Sequence, residues 1–290
     1  MKLLRLGLKN YRNCEDVSIV FDKQKTLIIG KNAQGKTNIL ESIYLLSDIK
    51  SPRTSTLTDL IQFGKENFEI NASIEKNNTD IELDFAYNTE KKREFKINKV
   101  KSTARDFKQT VKTVLFSTRD LLLLRGAPQD RRDWLDRAIS QIYPAYDERL
   151  SKFEKIRIQK NNLLKSEVID ETLLDIYNEQ IAITGANIIF LRKKFLKEIE
   201  KIASAKHKVI SDSEDFTLAY TCPAESIEEI SEYLREEIKN RKSEEFGRRQ
   251  SCVGPHRDDI EFKINGIDAI KFASQGQQRA LVLALKLGEL

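Results

Sequence analysis

Eight consecutive residues, Gly30-Lys31-Asn32-Ala33-Gln34-Gly35-Lys36-Thr37, complete the phosphate-binding pattern G-x-x-x-x-G-K-[ST]. Their types say what chemistry they can do. Gly30 and Gly35 let the backbone curl without a Cβ in the way, so that successive N–H groups converge on phosphate oxygens. Lys36 is placed to reach the β- and γ-phosphates, and the Thr37 hydroxyl to ligate Mg²⁺. A helix starting at the loop adds the positive end of its dipole. The run predicts a site for a nucleoside triphosphate with Mg²⁺. A glycine-bearing turn without a ligand is the plainer alternative, and the flanking segments argue against it.

Those flanks are the elements that must hold the loop in place. Thr26-Leu27-Ile28-Ile29 is β-branched and apolar and predicts a strand leading in. Residues 38–46 are apolar at 39, 40, 43, 45 and 46, which predicts a buried helix leading out. Further strands are predicted at 3–8 and 17–21, on either side of Asn10-Tyr11-Arg12-Asn13. Residues 68–74 and 81–85 alternate with period two around Asn77-Asn78, a hairpin with one wet face, and 92–97 continues the meander. From about Pro128 to Gly247 the period becomes helical and glycine nearly disappears. Helices are predicted over 131–165 with a break at Pro144, over 171–210, and over 226–241. A short strand is expected at 216–220, within or beside this helical lobe, and another at 260–264.

Near the C-terminal end, Ala273-Ser274-Gln275-Gly276-Gln277-Gln278-Arg279-Ala280 leads into a helical run to Leu290. Ser274 and Gly276 sit where a loop becomes a helix, which makes a second N-terminal anion site. Alone, this is no more than an N-capped surface helix. Downstream of a phosphate loop it looks like the signature loop of ABC-type ATPases. In that class the signature of one subunit, here Ser274, Gly276 and Gln277, caps the γ-phosphate held by another subunit's loop.

Composition bounds the rest. Of 290 residues, 40% are apolar, enough for a core, and 33% are charged. Fifty Lys and Arg against 45 Asp and Glu give +5, a mild excess that permits a nucleic-acid partner. Cys14, Cys222 and Cys252 are far apart, which excludes a disulfide framework and a C-x-x-C metal site and fits a reducing cytoplasm. No run reaches membrane-spanning length. Basic clusters at 91–93, 131–132, 192–194 and 248–249 are available for phosphate contacts. His207 reads as isolated in a charged helix. Adjacent Asp258 and Asp259 point to opposite faces of an extended segment and do not read as an acid/base pair.

Taken together, the motifs resemble those of the RecF recombination and repair protein family, the relatives of SMC-type ATPases that lack coiled coils. The residues that carry the resemblance run through the whole chain. They are Leu8 to Asn13, the N-A-Q-G-K-T form of the loop, and Val114 to Ser117 leading through Asp120-Leu121 to Gly126-Ala127-Pro128 and Arg131-Arg132. Gly254 to Asp259 and the S-Q-G-Q-Q-R signature complete the set. The resemblance implies an α/β fold, an ABC/SMC-like P-loop ATPase head with an antiparallel β-meander and an inserted all-helical lobe. Its expected parts are an N-terminal ATPase segment (1–115), a mainly helical lobe (116–250) and a signature segment (251–290). It further implies ATP and Mg²⁺ as cofactors, ATP-dependent homodimerisation, slow hydrolysis, and DNA as partner, whether single-stranded, gapped or duplex. RecO and RecR are the expected mediator partners at damaged forks.

Two departures qualify the family pattern. Ser117-Thr118-Arg119-Asp120 stands where the family has Ser-Pro-Glu-Asp. The acidic strand expected after the signature to hold Mg²⁺ and polarise water does not follow in this sequence. Expectations are therefore a truncated product with reduced stability and little or no ATP turnover. Rival readings are a small-molecule P-loop kinase, which needs no signature loop, and a head fragment of an SMC-like chromosome ATPase, which needs heptad arms that are absent here.

Overall fold

The computed structural model describes residues 1–211 and 214–290, and Asp212 and Ser213 of the expected helical stretch lie outside the described residues. Two compact units follow one another along the chain, Met1–Leu115 and Phe116–Leu290.

The first unit is an antiparallel sheet with helices on one face. Its elements are β1 (Lys2–Tyr11), β2 (Cys14–Val20), α1 (Lys36–Asp48), β3 (Asn67–Lys76), β4 (Thr79–Asn88), β5 (Arg93–Ile97), β6 (Val100–Lys101) and α2 (Ala104–Thr110). The strand order is β2-β1-β3-β4-β5-β6. Period-two alternation sets the faces: Phe68, Ile70, Ala72 and Ile74 of β3 are buried while Glu69 and Asn71 look outward. The β3–β4 register closes from Lys76 to Thr79 across Asn77 and Asn78, both at positive φ (52° and 59°). That is the type I′ geometry a twisted two-residue hairpin requires, and Asn tolerates it. Under the sheet, Phe85 stacks on Phe95 at 4.9 Å and Phe107 of α2 closes the cluster at 5.1 Å from Phe95.

One expectation fails here. Residues Thr26–Ile29 form no strand, and Leu27 and Ile29 are 84% and 80% exposed. Every named ladder among the described residues is antiparallel, and none includes this segment. β-branched side chains favour a strand only when a neighbour supplies the hydrogen bonds and a surface to pack on.

The second unit comprises α3 (Leu122–Arg125), α4 (Pro128–Ile142), α5 (Tyr146–Lys165), α6 (Glu171–Ile210), β7 (Phe216–Tyr220), α7 (Ile227–Asn240), α8 (Lys242–Arg248), β8 (Ile260–Ile264), β9 (Ile267–Asp268), α9 (Ala269–Phe272) and α10 (Gln275–Gly288). Its punctuation matches its chemistry. Pro128 opens α4 at N1, Tyr143 ends it one residue before Pro144, and a Ser226–Glu229 capping box opens α7. The axis is α6, whose apolar face meets α5, α7, α10 and β7. Gly185 makes the α6–α7 crossing close: a Cβ there would come within 3.1 Å of both Leu234 and Pro255. The strands at 216–220 and 260–264 pair in a small sheet ordered β7-β8-β9.

Candidate nucleotide-binding site

The phosphate loop runs into α1, which begins at Lys36 with Gly35 as its cap at φ 88°. Gly30 and Ala33 also carry positive φ (159° and 65°), the first close to plain extended backbone. Lys36 reaches back over the loop, its Nζ donating to the carbonyls of Gly30 and Lys31, both at 2.7 Å. Lys31, Asn32, Ala33, Gln34 and Thr37 are exposed, so their backbone and hydroxyl groups stand open to a ligand. The β1–β2 turn docks against the loop. Asn13 donates to the Ala33 carbonyl at 3.1 Å and accepts from Asn38 Nδ2 at 2.7 Å. The positive φ requires a glycine at 35, and a Cβ there would lie 2.9 Å from Asn13 Oδ1, so the Asn13 amide would have to shift.

One turn along α1 sits a group the sequence reading missed. Glu41 is 1% exposed and accepts from Arg12 Nε and Nη2 at 3.0 and 2.8 Å, from Arg53 Nη1 at 3.1 Å, and from Ser51 Oγ at 2.5 Å. Burial alone would raise its pKa. The hydrogen bonds from Arg12 and Ser51 and the charges of Arg12 and Arg53 outweigh burial and hold the carboxyl below its ordinary range. Arg53 Nη1 also donates to Asn38 Oδ1 at 2.7 Å. A continuous hydrogen-bonded chain thus links Ala33 of the loop through Asn13, Asn38 and Arg53 to Glu41 and Arg12. The sequence did carry a signal: Glu41 falls four residues after Thr37 and three after Asn38, on the helix face below the loop. Arg12, in the turn between the first two strands, is an ion-pair partner of Glu41 beside the loop.

In the second unit, Ser274 caps α10. Its Oγ accepts from the Gln277 amide at 3.2 Å, and Gln277 Oε1 accepts from the Ser274 amide at 2.9 Å. Ser274 and Gly276 are exposed. Gln277 is more committed, since its Nε2 donates to Glu214 at 2.7 Å. A cavity of about 720 Å³ opens beside this helix start, lined in part by Phe116, Leu121, Ile210, Arg279 and Leu283. The departing segment at 117–120 is a capped turn: Asp120 Oδ2 accepts from the Ser117 amide at 2.6 Å and from its hydroxyl at 2.9 Å.

Two basic clusters turn out to be structural. Arg131 is 4% exposed and forks onto Asp259 at 2.6 and 2.7 Å, while Arg132 donates to the Asp258 carbonyl at 2.7 Å. Arg192 is 2% exposed and forks onto Asp136 at 2.9 Å through both Nε and Nη2. It also donates to Tyr220 Oη at 2.9 Å and to the Pro255 carbonyl at 2.6 Å. Lys193 Nζ is spent on the Cys222 and Ala224 carbonyls at 3.0 and 2.5 Å. Tertiary burial hides these side chains, which sequence alone reads as a charged surface. His207 is likewise buried, its ring edge-on to Phe216 at 5.2 Å. Asp258 and Asp259 hold different partners, Tyr220 and Arg131, as their opposite faces require. Burial pushes the Asp258 carboxyl up to about 6 against the opposing charge of Arg192. Burial pushes the His256 imidazole down to about 4.

No group of His, Cys, Asp and Glu among the described residues is arranged to hold a metal by itself. A Mg²⁺ bound here would rely on Thr37 and on the phosphates it accompanies. No helix is long and apolar enough to cross a membrane among the described residues.

The architecture is that of an ABC/SMC-like ATPase head. A family model described as an AAA ATPase domain matches residues 1–288. A solved SMC head bound to the C-winged helix domain of ScpA aligns over the whole chain and 76% of its own length, with TM-score 0.55 and 15% identity, a likeness of fold alone. Within that class the chain belongs to the RecF family. It is 40% identical to the DNA replication and repair protein RecF of Thermosynechococcus vestitus, over 100% of this chain and 79% of the relative. With the RecF of Symbiobacterium thermophilum it shares 39% identity, over 100% and 80%. The solved recombination mediator protein RecF-ATP of the RecFOR pathway matches with TM-score 0.94 and 31% identity, covering 100% of this chain and 80% of that one.

Proposed function

We propose that this chain is a DNA replication and repair protein whose Gly30–Thr37 loop binds Mg²⁺-ATP and whose nucleotide state governs the pairing of two copies. The observation that carries the reading is Lys36 folded over a loop capped by Gly35, in a chain that closely matches a mediator solved with ATP. In the pair, Ser274, Gly276 and Gln277 of one copy face the γ-phosphate held by the other. Lys31, Asn32, Ala33 and Gln34 supply backbone donors, Lys36 the charge, and Thr37 a ligand to Mg²⁺. DNA, single-stranded, gapped or duplex, is the substrate platform, RecO and RecR are the mediator partners, and the cytoplasm is the compartment. Nucleotide acts here as an assembly signal more than as fuel. Glu41, the buried carboxylate beside the loop, has its oxygens engaged by two arginines and Ser51 and is unsuited to act as a base.

Sedimentation of the full chain with and without Mg²⁺-ATP, alongside equilibrium ATP binding, tests this. Binding that weakens roughly 10–100-fold in Lys36→Ala, and a nucleotide-dependent dimer that disappears in Ser274→Arg, are the expected results. ATP binding with no change of mass at any protein concentration would remove the pairing step and leave the loop assignment standing.

A further inference from the structure

Positive charge is distributed along the chain unevenly enough to point to a surface for DNA. Between residues 88 and 112 lie nine Lys or Arg and three Asp or Glu, an excess of six positive charges where the whole chain carries +5. Lys91, Lys92, Arg93, Lys99, Lys101 and Arg105 of this stretch are all exposed. Much of the positive charge elsewhere is engaged: the pairs at 131–132 and 192–193 are structural, and Lys197, Lys208 and Arg248 face Glu225, Asp215 and Glu244.

We propose that the edge of the first unit formed by β5, β6 and α2 docks the backbone of duplex DNA, with Lys91, Arg93, Lys99 and Lys101 contacting phosphates. This rests on the DNA-repair reading above. Lys91, Arg93 and Lys101 take part in no ion pair among the described residues, and Lys99 reaches Glu82 only at 3.8 Å. On the broad outer face of the same sheet acids and bases alternate, Lys9 beside Glu69 and Lys96 beside Asp84 and Glu94, so the excess of unpaired positive charge lies at the edge. Lys91 and Lys99 stand in turns at the two ends of β5, which separates them, and both are at positive φ (63° and 67°). Five residues of strand span roughly 17 Å, enough to follow several phosphates of one DNA strand. The edge has no stacking platform, because Phe95 and Phe107 are buried, and this favours duplex backbone over splayed single-stranded bases. Lysine on a sheet edge also prevents edge-to-edge pairing. That role accounts for Lys101 but not for the turn at 91–92 or for Arg105 on the helix.

The test is fluorescence anisotropy of a labelled duplex with the full chain over a salt series. It compares the native protein, Lys91→Glu/Arg93→Glu/Lys101→Glu, and the charge-matched control Arg248→Glu/Arg249→Glu/Lys165→Glu, in which Lys165 is likewise exposed. At low salt the triple variant is expected to bind at least tenfold more weakly than the control. The slope of log affinity against log salt should fall in magnitude by roughly 2–3, about 0.9 per lost phosphate contact. ATP binding and the melting midpoint should stay unchanged, which separates this surface from the nucleotide site. An unchanged affinity and slope, or an equal loss in the control, overturns the proposal. A native protein that binds ATP but no duplex at any salt overturns it together with the DNA part of the functional reading.

Discussion

Two arginine-centred networks, one in each unit, show how similar buried charges serve different ends. Around Arg192, nearly every donor has a protein partner: Asp136, Tyr146, Tyr220 and the Pro255 carbonyl surround a guanidinium that is 2% exposed. Around Glu41 the arrangement is inverted. The carboxylate is buried, but the arginines it holds are 20% and 40% exposed, and among the described residues no protein acceptor meets Nε or Nη2 of Arg53. The closed network can only hold helices together. The open one keeps spare donors beside a phosphate loop. Charge that stabilises and charge that recognises are told apart by where the unspent hydrogen bonds point.

The largest expected effect breaks the closed network. Arg192→Met strands Asp136 and two tyrosine hydroxyls, and should cost about 3–5 kcal/mol, read as a lower urea midpoint at constant m. ATP affinity should stay within twofold, and a large loss of affinity would blur the contrast. Close behind comes pH. Asp258 has a folded pKa raised to about 6 from 3.8, so its contribution favours the folded state below about pH 4 and is lost as pH rises through 6. Asp258→Asn should therefore gain stability relative to the parent on going from pH 4 to 7, by up to about 3 kcal/mol. A pH-independent difference would show that burial does not govern this carboxyl.

Within the open network the effects move from stability to binding. Lys36→Ala removes a charge-assisted partner of the phosphates and should weaken ATP by about 1.5–3 kcal/mol, or roughly 10–100-fold, in calorimetric titration. Glu41→Ala releases arginines that water can still reach, so about 1–2 kcal/mol of stability is expected to go, less than for Arg192→Met. Its ATP affinity should fall as well, which sharpens the distinction if Glu41→Gln restores part of it. Ser274→Ala, losing an exposed helix cap, should cost only about 1 kcal/mol in thermal unfolding.

What the sequence disclosed was whatever depends on neighbours along the chain. The helix after the phosphate loop, the Asn77-Asn78 hairpin, the Pro144 break, the helix beginning after Ser226 and the capped helix at Ser274 are local chemistry, and each stands where its residues predict. Contacts across long separations were not legible. Thr26–Ile29 has every side chain a strand needs, yet pairing is a property of two segments. Arg192-Lys193-Lys194 reads as a solvated run until Asp136 and the Cys222 carbonyl, far away in sequence, claim two of the three. Glu41 was overlooked because a single acid on an amphipathic helix resembles ordinary surface, and only Arg12 and Arg53 reveal its burial.

The close approach of Asn13 to Gly35 carries a genetic corollary. Because the Asn13 amide bonds the Ala33 carbonyl and lies against Gly35, a change at either position is expected to disturb the same loop. A screen for cells unable to use this protein's nucleotide should return lesions in the hairpin with the same phenotype as lesions in the glycine loop. Compensating changes at one position should then be sought at the other.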